Sequence, residues 1–278
     1  MATAQTPSSA AAAAANSPTL LILAGKRDGK LDPLAEKAGV SHKCRVPIQG
    51  KPLLQWVLEA AGEAWPDNLI IISIHDPEVI ADLPAVVALK KAGRLTICEA
   101  QAGIVESVEA AVAESGNRFP LLITTGDNVL ATPESLREIH DHGIATGSGA
   151  VLAVARREDI LAAHPEGQRK FYEFRDVAIA NCNAYWLGNA HAMRAAEAFR
   201  QGGQFIKTRG RIAQAFGILN LIRFKLGWWS LDQIMGTLSR RFGVKITAHV
   251  YDDGAYAVDV DNQRTYDVCE ELLAKRKL

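Results

Sequence analysis

From Thr19 onwards the chain alternates short, almost wholly apolar runs with longer stretches in which apolar residues recur at helical spacing. The runs "TLLILAG", "NLIIISI", "LTICEA", "FPLLITTGD" and "GAVLAVAR" read as strands buried on both faces. Between them, "PLLQWVLEAAGEAW", "IVESVEAAVAES" and "PESLREIHDHG" read as helices. That order predicts an α/β protein whose mainly parallel central sheet is covered by helices on both faces, a three-layer α/β/α, Rossmann-like arrangement. Ligands of such sheets sit beyond the carboxyl ends of the strands, so the loops that follow strands are where chemistry is expected.

Two of those loops carry it. "AGKRDGK" offers glycine flexibility and cations directly behind the first strand, and "TTGDNVLATPES" offers Asp127 at a strand end, with Thr132 placed to cap the helix beginning at Pro133. Cations, backbone amides and a carboxylate on one sheet edge point to phosphate bound with a divalent metal. Seven basic residues, Lys26, Arg27, Lys30, Lys37, Lys43, Arg45 and Lys51, crowd this region, although the whole chain balances 31 Lys and Arg against 31 Asp and Glu. With no net charge there is no general drive toward nucleic acid or an anionic membrane, so a polyanion must be met by that local cluster. Neither G-x-G-x-x-G nor G-x-x-x-x-G-K-[ST] occurs, which removes the dinucleotide and P-loop readings.

The rest of the composition narrows the setting. Cys44, Cys98, Cys182 and Cys269 are scattered without a CxxC pair, as expected of reduced thiols in a cytoplasmic protein without structural zinc. No apolar run reaches the roughly 18 to 20 residues of a membrane span. The Ala/Ser-rich residues 1–18 read as a disordered tail, leaving 19–278 as the working domain. The seven histidines show no metal-ligand spacing and read as surface or core residues, and Asp252, Asp253 and Gly254 read as a turn.

Four segments taken together resemble the MobA-like NTP transferases, nucleotidyltransferases with a GT-A-like fold: "LILAGKRDG", "HKCRVPIQGKPLLQWVL", "TTGDNVLATPESL" and "VDVDNQRTYDV". They stand in the family's order, against strand-L-x-A-G-G-x-[GS]-x-R, P-K-x-L-x-x-x-x-G-K-P, T-G-D-x-P and D-I-D-T-P-E-D-L. The chain departs from that pattern at Lys26, where a second glycine is usual, at His42, where proline precedes the signature lysine, and at "NQRT". The resemblance implies that Leu23, Ala24, Gly25, Lys26, Arg27 and Gly126 surround the nucleotide, with Gly25, Lys26 and Arg27 on the β- and γ-phosphates. It also implies that Lys43 meets charge at the α-phosphate and that Asp127 and Asp261 hold Mg2+. With "VDVDN" taken as the end of an extended strand, the family match selects Asp261, with Asp259 in reserve; the purely structural reading is a helix cap at Asp261 or Asn262. Ser107 is implied as a polar contact beside the base, against a solvent-facing or back-bonded helix serine, and Asn181 or Asn183 in "IANCNAYWLGN" as an acceptor contact, against a buried, hydrogen-bonded structural asparagine.

The implied reaction is transfer of a nucleoside monophosphate from an NTP, CTP or GTP favoured, to a phosphorylated small acceptor with release of pyrophosphate. A GT-A glycosyltransferase and a degenerate nucleotide-binding protein are the alternatives, the former opposed by the lack of D-x-D at "TTGDNV". A helical insertion is expected around 190–240. In it, Lys207, Arg209 and Arg211 precede an apolar segment ending in Trp228 and Trp229. One reading packs this segment over the sheet. The other makes 218–229 a contact for a protein or a membrane-associated acceptor, with Arg209 and Arg211 on the acceptor's phosphate. A homodimer is left open.

Overall fold

The computed structural model describes residues 17–26, 31–196 and 228–276. Its first strand, β1 (Thr19–Leu23), shows why the apolar runs are uninterrupted. Leu20 and Ile22 point into one hydrophobic cluster while Leu21 points into another across the sheet, so successive side chains are all buried. The same alternation sorts β4 (Ile70–Ile74) and β6 (Leu121–Thr125), which flank β1 in parallel, and β5 (Leu95–Glu99) continues the parallel set beyond β4.

The three expected helices form where they were read, as α2 (Leu53–Ala64), α4 (Ile104–Glu114) and α5 (Pro133–Thr146), and α3 (Pro84–Lys91) is a further helix between β4 and β5 that the sequence reading did not include. α2, α3 and α5 pack Leu54, Leu58, Val86, Leu136 and Ile139 on one face of the sheet, and α4 packs Val108, Ala111 and Val112 on the other. Thr132 caps α5 as expected, accepting from Ser135 N–H in a reciprocal capping box. α1 (Pro33–Lys37) starts behind a capping Asp32.

Beyond β6 the sheet changes character. The order is β10-β7-β9-β6-β1-β4-β5, where β9 (Ala178–Leu187) runs antiparallel to both β6 and β7 (Ala150–Arg156), and β10 (Ile246–Tyr251) lies parallel to β7. Short β8 (Tyr172–Glu173) pairs with β9 off this path, and β2 (Pro47–Ile48) with β3 (Lys51–Pro52) forms a separate ribbon. α6 (Arg157–Ala163) follows β7.

Of the expected helical insertion, α7 (Met193–Ala196) and α8 (Leu231–Phe242) fall among the described residues, whereas Lys207, Arg209, Arg211 and 218–227 lie outside them, as do residues 1–16 and Arg27. α8 lays Leu231, Ile234 and Met235 on β7, β9 and β10. The two tryptophans before it divide: Trp229 packs on this cluster, and Trp228 is 60% exposed. No helix among the described residues is long and apolar enough to cross a membrane. All four cysteines are free and buried. α9 (Gln263–Arg276) closes the described chain, packing Val268, Cys269, Leu272 and Leu273 against Val46, Leu53 and Leu130, which ties the last motif to the loops behind β1 and β6.

Candidate active site

Because β1, β4 and β6 are parallel, their trailing loops meet on one edge. The backbone joins them: Gly126 N–H donates to the Leu23 carbonyl at 2.9 Å, and Ala24 N–H to the Ser73 carbonyl at 2.8 Å. Gly25 is required where it stands, since a Cβ there would lie 2.8 Å from the Ala100 Cβ and 3.2 Å from His75 Cε1. Lys26 N–H donates to His75 Nδ1 at 3.1 Å, so the start of the cationic loop is tethered to the residue that follows β4.

The motif lysine arrives on a short 3-10 turn, Lys43–Arg45, entered from a buried His42, which stands at the sequence position of the family's proline. Burial, then the nearby Lys26 charge, pushes the His42 pKa down. From this turn Lys43 Nζ reaches Asp127 Oδ2 at 2.5 Å and Asp261 Oδ1 at 3.0 Å. Burial alone would favour neutral lysine, but the two carboxylates outweigh it and raise its pKa above the ordinary range. Asp127 gains in return: burial disfavours its charge, yet Lys43 overcomes that and lowers its pKa.

Residues 258–262 do not extend the sheet, contrary to the extended strand assumed for Asp259. Val260 N–H donates instead to the Asp127 carbonyl at 3.2 Å, and Asn262 caps α9 by accepting from Thr265 N–H. This curved approach brings Asp259 and Asp261 to Asp127 together, with one oxygen of each carboxylate within 4.8 Å of the others. Asp259 carries the electrostatic cost. Burial first, then Asp127 and Asp261, push its pKa up to about 8, with Lys43 opposing. Three carboxylates thus face one ammonium, and Asp127 Oδ1 is buried without a hydrogen-bond partner among the described residues. An oxygen-only, charge-deficient donor set of this kind fits a hard divalent cation such as Mg2+.

Leu23, Ala24, Gly25, Lys26, Gly126, Lys43, Asp127 and Asp261 therefore lie on this one edge, and Arg27 lies outside the described residues. Three other members of the basic cluster are engaged elsewhere: Arg45 with Asp82, Lys51 with Glu59, and Lys37 with Gln263. Ser107 is buried in the first turn of α4, accepting from Gln101 N–H and donating to the Gly103 carbonyl. Asn183 meets Asp259, its Nδ2 donating to Oδ2 at 2.8 Å. Sequence reasoning missed His75 as the loop tether; its place directly behind a fully buried, isoleucine-rich strand was the available signal.

Comparison with known proteins matches residues 20–209 to the MobA-like NTP transferase domain. Among curated proteins, the chain is 29% identical over 123 residues to the bifunctional protein GlmU of Thermoanaerobacter pseudethanolicus and 30% identical over 114 residues to that of Geobacter metallireducens. These matches cover 43% and 41% of this chain but 24% and 23% of the relatives, so the chain spans about a quarter of the length of the curated relatives it matches. A solved hypothetical transferase from Thermus thermophilus shares the fold, with a TM-score of 0.72 and 24% identity over 90% of this chain and 99% of that one. So does a CMP:2-keto-3-deoxy-manno-octonic acid synthetase complexed with CTP, with a TM-score of 0.57 and 14% identity over 94% and 100% of the two chains. A 4-diphosphocytidyl-2C-methyl-D-erythritol synthase from Anaerococcus prevotii matches at a TM-score of 0.51 and 11% identity, over 93% and 99%. With the family model covering well over half of the sequence, and with this edge built from that family's motifs, the chain belongs to the MobA-like NTP transferase family of nucleotidyltransferases.

Proposed function

We propose that the protein transfers a nucleoside monophosphate from CTP, or secondarily GTP, to a phosphorylated small-molecule acceptor, releasing pyrophosphate in an Mg2+-dependent reaction. The observation that carries this reading is the convergence of Asp127, Asp259 and Asp261 on Lys43 beyond the ends of parallel strands. Cytidylyl transfer is favoured over guanylyl because two proteins of the same fold are named for CTP or for a cytidyl product.

In such a transfer an acceptor phosphate oxygen attacks the α-phosphorus, the new P–O bond forms, and the bond to the β-phosphate oxygen breaks with its electrons leaving on pyrophosphate. The protein has to position these groups and stabilise concentrated negative charge. Bound Mg2+, held by Asp127 and Asp261 with Asp259 beside them, supplies charge neutralisation at the phosphates. The backbone from Ala24 to Lys26, held by the Ser73 carbonyl at Ala24 N–H and by His75 at Lys26 N–H, borders the triphosphate. Lys43 exchanges its carboxylate contacts for the α-phosphate as charge builds there. Asn181 Oδ1, buried and unpartnered among the described residues, is available to a donor on the acceptor. Arg209 and Arg211 complete the reading as contacts to the acceptor's phosphate.

The test is a screen of the four NTPs against phosphorylated sugars, polyols and cofactor precursors, read by pyrophosphate release. Mg2+-dependent release with CTP or GTP in the presence of one acceptor class is the expected result. Consumption of a nucleotide sugar without pyrophosphate would replace this reading with glycosyl transfer, and NTP binding without turnover would replace it with a binding protein.

A further inference from the structure

One side chain near the carboxylates is engaged in a way that substrate binding does not require. Along β9 the residues alternate: Cys182, Ala184 and Trp186 enter the hydrophobic core, while Asn181, Asn183 and Tyr185 share the other face. These three are linked. Asn181 Nδ2 donates to the Tyr185 hydroxyl at 2.6 Å and to Asn183 Oδ1 at 2.9 Å, and Asn183 Nδ2 donates to Asp259 Oδ2 at 2.8 Å. With its carbonyl oxygen already accepting from Asn181, the Asn183 amide has one consistent orientation, NH2 toward the carboxylate.

The backbone is shaped for this contact. Pairing between β9 and β7 is regular from Leu187 to Tyr185 and resumes only at Asn181. Asn183 lies inside that irregularity at φ +50°, a left-handed conformation that asparagine accepts more readily than most residues. Bulges of this kind redirect a side chain. Here the redirected side chain is the one that touches Asp259.

We propose that Asn183 is a positioning residue for the metal site: its amide fixes the Asp259 carboxylate, and Asn181 and Tyr185 fix the amide. The inference rests on the reading that Asp127 and Asp261 hold the metal, adds Asp259 to them as a third ligand, and moves Asn183 from the acceptor to the metal. Hydrogen bonds that orient a ligating carboxylate commonly set metal affinity by ~10- to 100-fold, so the effect belongs to the metal rather than to either substrate.

The test is Mn2+ binding, followed by electron paramagnetic resonance with and without CTP, on the full-length protein and on Asn183→Gly, which keeps the positive φ and removes the amide. Thermal melting controls for folding, and steady-state kinetics give the Mg2+ requirement and the acceptor KM. The expected result is a Mn2+ Kd raised ~10-fold or more, a parallel rise in the Mg2+ requirement and an unchanged acceptor KM. Tyr185→Phe, which removes the hydroxyl that holds Asn181 and so loosens the relay without touching the bulge residue or an acceptor contact, should show a smaller loss of the same kind and serves in place of Asn183→Gly if that variant melts early. An unchanged Mn2+ Kd in a folded variant, or an acceptor KM that rises alone, overturns the proposal while leaving the metal site standing. A wild-type protein that binds no Mn2+ even with CTP removes the metal site itself, and the proposal with it.

Discussion

On the β1–β6 side of the cluster the backbone does most of the positioning, through Gly126 N–H on the Leu23 carbonyl and Ala24 N–H on the Ser73 carbonyl, whereas on the β9 side a chain of side-chain amides reaches Asp259. The first side is a product of parallel register: β1 and β6 pair from Thr19 with Leu121 to Leu23 with Thr125, and their loops must emerge together. The second depends on an antiparallel strand whose pairing is interrupted. Main-chain positioning survives most side-chain substitutions, while an amide relay can be loosened one residue at a time. The β1–β6 side should therefore determine whether transfer occurs, and the β9 side how well metal is held.

The largest effect should come from the first side. Asp127→Asn removes a charge with little change in volume and should lower kcat by at least ~10^3-fold without altering the fold; turnover within a tenth of wild type would remove Asp127 from the site. Lys43→Ala should lower kcat by ~10^2- to 10^3-fold and raise the NTP KM far less, because its charge meets charge that develops during transfer. The same variant should bind Mn2+ more tightly, since the ammonium no longer competes for Asp127 and Asp261. A pure KM effect with unchanged Mn2+ affinity would make Lys43 a ground-state contact. Gly25→Ala forces a methyl group against Ala100 and should raise the NTP KM by roughly 10-fold through displacement of the loop. Unchanged kinetics there would show that the phosphates do not approach this backbone.

The smallest effect belongs to the other side and is one of pH. In the metal-free protein the Asp259 pKa is raised from 3.8 to about 8, so between those values the folded state holds a proton that the unfolded chain has lost. Its stabilising contribution is fully present below the unfolded value and disappears as pH rises through the folded one. Metal binding must displace that proton. Mg2+ should accordingly raise the melting temperature more at about pH 9 than at about pH 6, and Asp259→Asn should flatten the difference. A pH-independent Mg2+ shift would mean that Asp259 is already ionised without metal.

This contrast also explains what could be read from the sequence. β1, β4 and β6 were legible because burial on both faces leaves an uninterrupted apolar run, and Asp127 because it ends one of those runs ahead of a capped helix. "NCNAYW" displays its alternation openly, but the partner of its polar face, Asp259, is 76 residues further along. Nothing local announces that contact. The expected extended strand at Asp259 failed for a similar reason: Val260 N–H bonds to the Asp127 carbonyl rather than joining the sheet, and Asp261 N–H turns back to the Asp259 carbonyl, so the segment curves and all three carboxylates converge. His75 is a lone histidine in sequence, and its role lies in an amide 49 residues earlier.

The most direct measurement is a crystal structure of the protein with Mn2+ and CTP, using anomalous scattering to locate the metal. The expected result is a Mn2+ peak bound by Asp127 and Asp261 with Asp259 alongside, the triphosphate against the Gly25–Lys26 backbone, and Lys43 turned from the carboxylates to the α-phosphate. A nucleotide bound at this edge with no metal peak among the three aspartates, or with Lys43 still paired to Asp127 and Asp261, would contradict it.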